Sequence, residues 1–222
     1  MDAAYVELSE GVFQASPLTR GPWRPDHQHA GPPSALICRA IERAAAAEGL
    51  THVARLTVNL FRPAPIGECR IEMTEDYLGR TAGHYSGRLI AEGKDIARFT
   101  ALMQREGDLP IPQGTPGHPP PQAPKPPHES PVVSMRFPGQ ATGYGDLVEN
   151  RLAEGRFFKG PSAAWFRMNH PLVKGGTTSP YQRVAVAAAD SGNGISAALP
   201  AKQFGQGLRP WTQEVKRRGL KG

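Results

Sequence analysis

The chain has 222 residues, 26 Lys and Arg against 20 Asp and Glu, and a net charge of +6. That length suits one large domain or two small ones, and 39% apolar with 21% charged residues describe an ordinary globule. A disordered acidic tail and a fibre are both excluded.

In chain order, the start MDAAYVELSEG has no apolar core, so it reads as neither a secretory signal nor an Arg-rich transit peptide. Val12 to Leu18 has the pattern of a strand, and a loop rich in Gly, Pro and His follows over Gly21 to Pro33. Leu36, Ile37, Ala40, Ile41 and Ala44 then recur at helical spacing, with Pro32 and Pro33 suited to the first turn and Gly49 to the exit. Leu56, Val58 and Leu60, and then Ile71 and Met73, alternate with polar residues as strands do. His84 to Ala91 and Ile96 to Met103 continue less cleanly, with turns at Pro63–Pro65, Leu78–Arg80 and Glu92–Lys94. The order β-α-β-β-β-β predicts an antiparallel sheet with one long helix packed on it, an α+β arrangement.

Ten of the 23 prolines fall between Pro110 and Pro131, a stretch that favours extended polyproline structure and reads as a linker. Beyond it, Leu147 to Phe158 and Ala163 to Met168 read as strands. Ser179-Pro180 suits the start of a helix running to Ala189, with Tyr181, Val184, Ala185 and Ala188 on one face. A second set of alternating strands is expected next, and none is legible: from Gly205 the sequence GQGLRPWTQEVKRRGLKG has no sustained period. That tail holds five basic residues and one acidic residue, so four of the six net charges sit in it. No basic face interleaved with aromatics is readable elsewhere, so a nucleic-acid partner is not expected. The longest apolar run, Val184–Ala189, is far short of the ~20 residues of a membrane span. Cys38 and Cys69 are too few for a disulfide framework or a zinc quartet, which points to a reduced, cytoplasmic setting.

Several segments in order carry a resemblance. Gly21-Pro-Trp followed by His29-Ala-Gly-Pro-Pro-Ser-Ala-Leu is similar to the opening of acyl-CoA thioesterases of the TesB-like, double-hotdog kind. Phe61-Arg-Pro and Ile66-Gly-Glu resemble that family's R-P … G turn. Ala163-Ala-Trp-Phe-Arg, Pro171-Leu-Val and Ser179-Pro-Tyr through Asp190-Ser-Gly-Asn-Gly resemble the opening of its second hotdog. The resemblance implies a tandem hotdog fold with an incomplete C-terminal unit: a first hotdog over 1–108, a linker over 109–131, a partial second hotdog over 132–204 and a tail over 205–222. It further implies an acyl-CoA substrate hydrolysed without metal or organic cofactor, and Asp190 as the carboxylate that orients water. The family's hydroxyl and amide partners would lie on strands not legible here. A non-catalytic acyl-CoA-binding hotdog protein or subunit is the alternative, and the open sheet edge expected on either reading points to a homo-oligomer.

Three further positions are candidates for substrate binding. Gly31 sits where backbone N–H groups at a helix start can face a carbonyl oxygen or phosphate, although ordinary helix geometry also explains it. Trp23 and Trp165 suit an acyl channel or the core. Asp190, in the last turn of its predicted helix, meets the negative end of the macrodipole at a cost of roughly 0.3–1 kcal/mol, which makes it a better base. It also suits a simple turn. His27 and His29 form an H-x-H pair that lacks a third metal ligand. Gly143-Tyr-Gly145 lacks the third glycine of a dinucleotide fingerprint.

Overall fold

A computed structural model describes residues 2–108, 110–117, 124–134, 142–157, 159–187 and 190–195. The predicted tail, and the stretch before it where further strands were expected, lie outside the described residues.

The long helix, α1, spans Gly31–Ala46. Pro32 and Pro33 occupy its first turn, where a missing N–H costs no intrahelical bond. From Gly31 to Cys38 it is buried on every side, as a helix surrounded by protein must be. Further along Ile41 and Ala45 are buried and Ala40 packs partly buried against the same core. Ala44, expected there, is exposed. Gly49, at φ +68°, turns the chain out of the helix.

Around α1 curls a six-stranded sheet of β1 (Tyr5–Ser9), β2 (Val12–Ala15), β3 (His52–Leu60), β4 (Glu68–Leu78), β5 (Ala82–Ala91) and β6 (Lys94–Gln104). The order is β1-β2-β4-β5-β6-β3, antiparallel throughout. Phe13, Cys69, Ile71, Tyr85, Leu89, Phe99 and Met103 supply the buried face that joins Leu36, Ile37 and Ile41 in one core. Register shifts at Glu7/Ser9, Val53/Arg55, Glu75/Tyr77 and Leu89/Ile90 add the local twist that lets the sheet wrap. At Gly87 a Cβ would stand 2.2 Å from the Glu72 carbonyl, so the sheet bends there only because the residue is glycine.

Two sequence expectations need correction. The strand predicted over Val12 to Leu18 stops at Ala15, because the Ser16 hydroxyl accepts the Leu18 N–H at 3.3 Å and starts a 3-10 turn over Pro17–Thr19. And β1 was not anticipated: Val6 and Leu8 leave its outward face apolar and exposed, so the alternation that marks an edge strand is hidden.

The remaining elements are β7 (Val132–Val133), α2 (Tyr144–Leu147), β8 (Val148–Gly155), β9 (Ser162–Met168), α3 (Pro180–Ala187) and α4 (Gly192–Ile195). Strands β7-β8-β9 form a second antiparallel sheet. The strand expected over Leu147 to Phe158 is shorter, preceded by α2 and ended by Gly155 at φ +76°. The buried face of α3 also differs from expectation. Gln182, Ala185 and Val186 point inward while Val184 is 61% exposed. The reason is polar: Gln182 Nε2 and Ser179 Oγ donate to Glu42 of α1 at 2.7 and 2.9 Å, which turns α3 to bring Gln182 in.

The two parts share one core, to which α1, α3, Leu147 and Leu172 all contribute. The backbone joins them as well. Tyr5 N–H donates to Leu172 O at 2.8 Å and Lys174 N–H to Tyr5 O at 2.9 Å, so the segment 171–174 runs parallel beside β1.

Candidate active site

The loop before α1 is pinned at Gln28. Its amide oxygen accepts the Tyr5 hydroxyl at 2.5 Å, its amide nitrogen donates to Pro65 O at 2.7 Å, and its N–H donates to Ala64 O at 2.8 Å. The next residue, His29, donates its N–H to Thr19 O at 2.7 Å. With the backbone held on both sides, the His29 ring projects at the start of α1.

Two groups from distant parts of the chain, and one from the adjoining helix start, meet that ring. Tyr144 of α2 stacks on it, with centroids 3.8 Å apart and planes 8° from parallel. The Tyr144 hydroxyl donates to Val186 O at 2.9 Å, at the end of α3, and lies 3.3 Å from Ser191 Oγ. Asp190 Oδ2 lies 3.3 Å from His29 Nδ1 and accepts the Ala30 N–H at 3.1 Å. Finally, the Gly31 N–H donates to the same Nδ1 at 3.2 Å. Because Pro32 and Pro33 have no N–H, Ala30 and Gly31 supply the donors at this helix start, and both are engaged by side chains of the chain itself.

Burial lowers the basicity of His29, with the Asp190 charge opposing. Burial pushes the Tyr144 phenol up to about 12, with the hydrogen bond to Ser191 opposing and the Asp190 charge adding to the rise. Both rings are therefore neutral near pH 7. Asp190 remains 44% exposed, so water reaches its carboxylate. Its surroundings differ from the sequence expectation in one respect: besides following α3, it faces the positive, N-terminal end of α1.

The other candidates sit as follows. Gly31 is required by packing, since a Cβ would stand 2.1 Å from Val186 O where α1 crosses the end of α3. Trp23 is on the loop before α1 but 70% exposed, so it takes no part in the core. Trp165 is on β9, and its indole N–H donates to Lys125 O at 2.6 Å, holding the end of the Pro-rich segment. It lines a groove of about 560 Å³ with Pro127, His128, Arg151 and Phe166. A second cleft, about 430 Å³, lies between β9 and α3 and is lined by Met168, Asn169, His170, Arg183 and Ala187. Asp190 lines neither. The H-x-H histidines take different carboxylates, His27 lying 3.9 Å from Asp26 and His29 beside Asp190. Among the described residues no cluster of three or more His, Cys, Asp or Glu is arranged to hold a metal ion.

Sequence reasoning missed Tyr144 and the pairing of His29 with Asp190. The first was weighed only as a fragment of a glycine motif, and the second joins residues 161 positions apart, which no local spacing reveals.

A curled antiparallel sheet wrapped on a central helix is the hotdog arrangement of the α+β class. Residues 19–104 match the family described as the acyl-CoA thioesterase N-terminal domain. Solved structures share the fold. The tesB protein of Mycobacterium avium subs. paratuberculosis is 17% identical over 82% of this chain and 64% of its own, with a TM-score of 0.52. A protein assigned as a thioesterase from Novosphingobium aromaticivorans is 19% identical over 74% of this chain and 64% of its own, with a TM-score of 0.52. Another, assigned as a thioesterase II from Thermobifida fusca, is 20% identical over 67% of this chain and 53% of its own, with a TM-score of 0.51. The chain thus spans less than two thirds of the length of each. No curated protein matches it in sequence.

Proposed function

We propose that the chain is an acyl-CoA thioesterase, hydrolysing an acyl-CoA to the free acid and CoA, with Asp190 as the base that orients and activates water. The observation that carries this reading is the delivery of an exposed carboxylate from residue 190 to the start of α1, beside two backbone N–H groups. The family of segment 19–104 supports the substrate class. Water adds to the thioester carbonyl carbon and one of its protons passes to Asp190. The carbonyl oxygen, now negative, takes an N–H at the helix start, and the C–S bond then breaks as the CoA sulfur accepts the proton. Gly31 is the backbone donor in this reading, and Trp23 and Trp165 are assigned to substrate binding.

Asp190→Asn is expected to lower hydrolysis by roughly 10²–10⁴-fold in a thiol-release assay across short, medium and long acyl-CoAs. An unchanged rate in that variant, or no turnover by the parent, defeats the reading.

One observation favours a second reading, a hotdog protein that binds acyl-CoA without cleaving it: both N–H donors at the start of α1 are already engaged by His29 and Asp190. Saturable acyl-CoA binding without released thiol separates the two. We place the division at a first hotdog over 1–108, a linker over 109–131, a partial second hotdog over 132–204 and a tail over 205–222. The setting is cytoplasmic, with a role in fatty acid metabolism, and the assembly is a homo-oligomer. Its support is β3, which pairs only with β6 among the described strands, ends at exposed Leu60 and is followed by exposed Phe61.

A further inference from the structure

We propose that His29 is the positioning residue of this site, a single acceptor contested by the Gly31 N–H and the Asp190 carboxyl, so that one proton decides which of the two is held and which is released.

An imidazole nitrogen has one in-plane position: it accepts when bare and donates when protonated, and cannot do both. Here two partners converge on Nδ1, the Gly31 N–H at 3.2 Å and Asp190 Oδ2 at 3.3 Å. With its proton on Nε2, His29 accepts the Gly31 N–H and offers nothing to Asp190. With a proton on Nδ1, it donates to Asp190 and must let the Gly31 N–H go. The ring cannot escape the contest by turning, because Tyr144 is stacked flat on it and is itself tied to the end of α3 through its hydroxyl. The loop behind it is fixed by the His29 N–H to Thr19 O bond. The titratable and charged groups facing the ring are Asp190, from the turn after α3, and Tyr144, from α2.

The consequence rests on the hydrolytic reading; the geometry does not. When Asp190 takes the proton of the attacking water, that proton lies one hydrogen bond from Nδ1. Its transfer to Nδ1 leaves Asp190 a carboxylate and frees the Gly31 N–H. The donor is thereby released as negative charge reaches the carbonyl oxygen. Before attack it is covered by the chain's own imidazole, and Pro32 and Pro33 provide no substitute. As the C–S bond breaks, the imidazolium returns the proton through Asp190 to the CoA sulfur, and the bare Nδ1 takes back the Gly31 N–H.

A pH titration of the full chain by NMR tests the contest without any substrate. The Gly31 amide resonance and the His29 ring resonances are expected to move with one midpoint, and Asp190→Asn to shift that midpoint to lower pH. His29→Asn, whose side-chain oxygen still accepts the Gly31 N–H but cannot titrate, is expected to leave the Gly31 resonance flat. A Gly31 amide that ignores the titration of His29 in the parent protein overturns the proposal. With acyl-CoA, His29→Phe keeps the ring stack and is expected to lower kcat at least tenfold, leave KM within twofold, and move the acidic limb of the pH profile to lower pH. A limb that does not move also overturns it. If the parent protein releases no thiol, the hydrolytic reading fails alone, and the NMR titration still decides the role of His29.

Discussion

The most informative residue in the chain is a histidine that sequence motifs rate as ordinary. His29 is buried against Tyr144, which lowers its basicity below the ordinary value of 6.5. A base whose proton affinity falls on folding binds fewer protons in the native state than in the unfolded one. Its contribution to stability is therefore complete above pH 6.5 and is lost as pH falls through that value toward the native one. The melting temperature of the parent protein is expected to drop between pH 7.5 and 5.5, and that of His29→Phe to drop less over the same range. Equal losses in the two proteins rule out the histidine as the cause. Carboxylates held low by arginine, such as Glu149 beside Arg151 and Arg167, are lost only at more acidic pH and do not confuse the comparison.

At the scale of elements, the crossing of α1 and α3 and the β5–β6 hairpin carry the sharpest expectations. Gly31 lets α1 approach so closely that an added Cβ falls 2.1 Å from Val186 O, a backbone atom that no side-chain rotation can move. Gly31→Ala must push the helices apart, at a cost of about 1–3 kcal/mol, which is a fall of roughly 2–12 °C in Tm for a chain of this size. A Tm within 1 °C of the parent contradicts the close crossing. The hairpin between β5 and β6 turns at Glu92 and Gly93, both at positive φ, 51° and 69°. Gly fits such a turn and Asn tolerates it, whereas Glu is strained. Glu92→Asn is expected to raise Tm by roughly 1–4 °C, with about 0.5–1 kcal/mol of strain relieved; a lowered Tm counts against that strain. These two positions also show what was legible in advance. The turn at Glu92–Lys94 and the long helix follow from local chemistry, because Gly, Pro and periodic apolar residues act on their own neighbours. The inward face of α3 was misread because it is chosen by Glu42, 140 residues from Gln182, and not by the hydrophobic spacing of α3 itself.

For the whole molecule, the alternation of strands β3 to β6 and the order of segments 21–36 and 163–194 made the architecture readable from sequence. The site was half readable. Asp190 was singled out, but its partners were not, because the fold alone brings residues 29, 144 and 190 together. The edges of the sheets set the expected assembly. Strand β3, with Leu60 and Phe61 beside it, predicts association, and light scattering of the purified protein is expected to give a mass at least twice that of one chain. A monodisperse monomer excludes it. The other edge, β1, behaves differently, because the segment 171–174 covers it through Tyr5. Those first residues leave the ribosome long before their neighbours exist. At about 5–20 residues per second, roughly 3–14 s separate the synthesis of Gln104, the end of the first sheet, from that of Leu172. During that interval the nascent chain carries the first sheet with a bare flank, and it closes only when residues near 172 arrive to claim Tyr5.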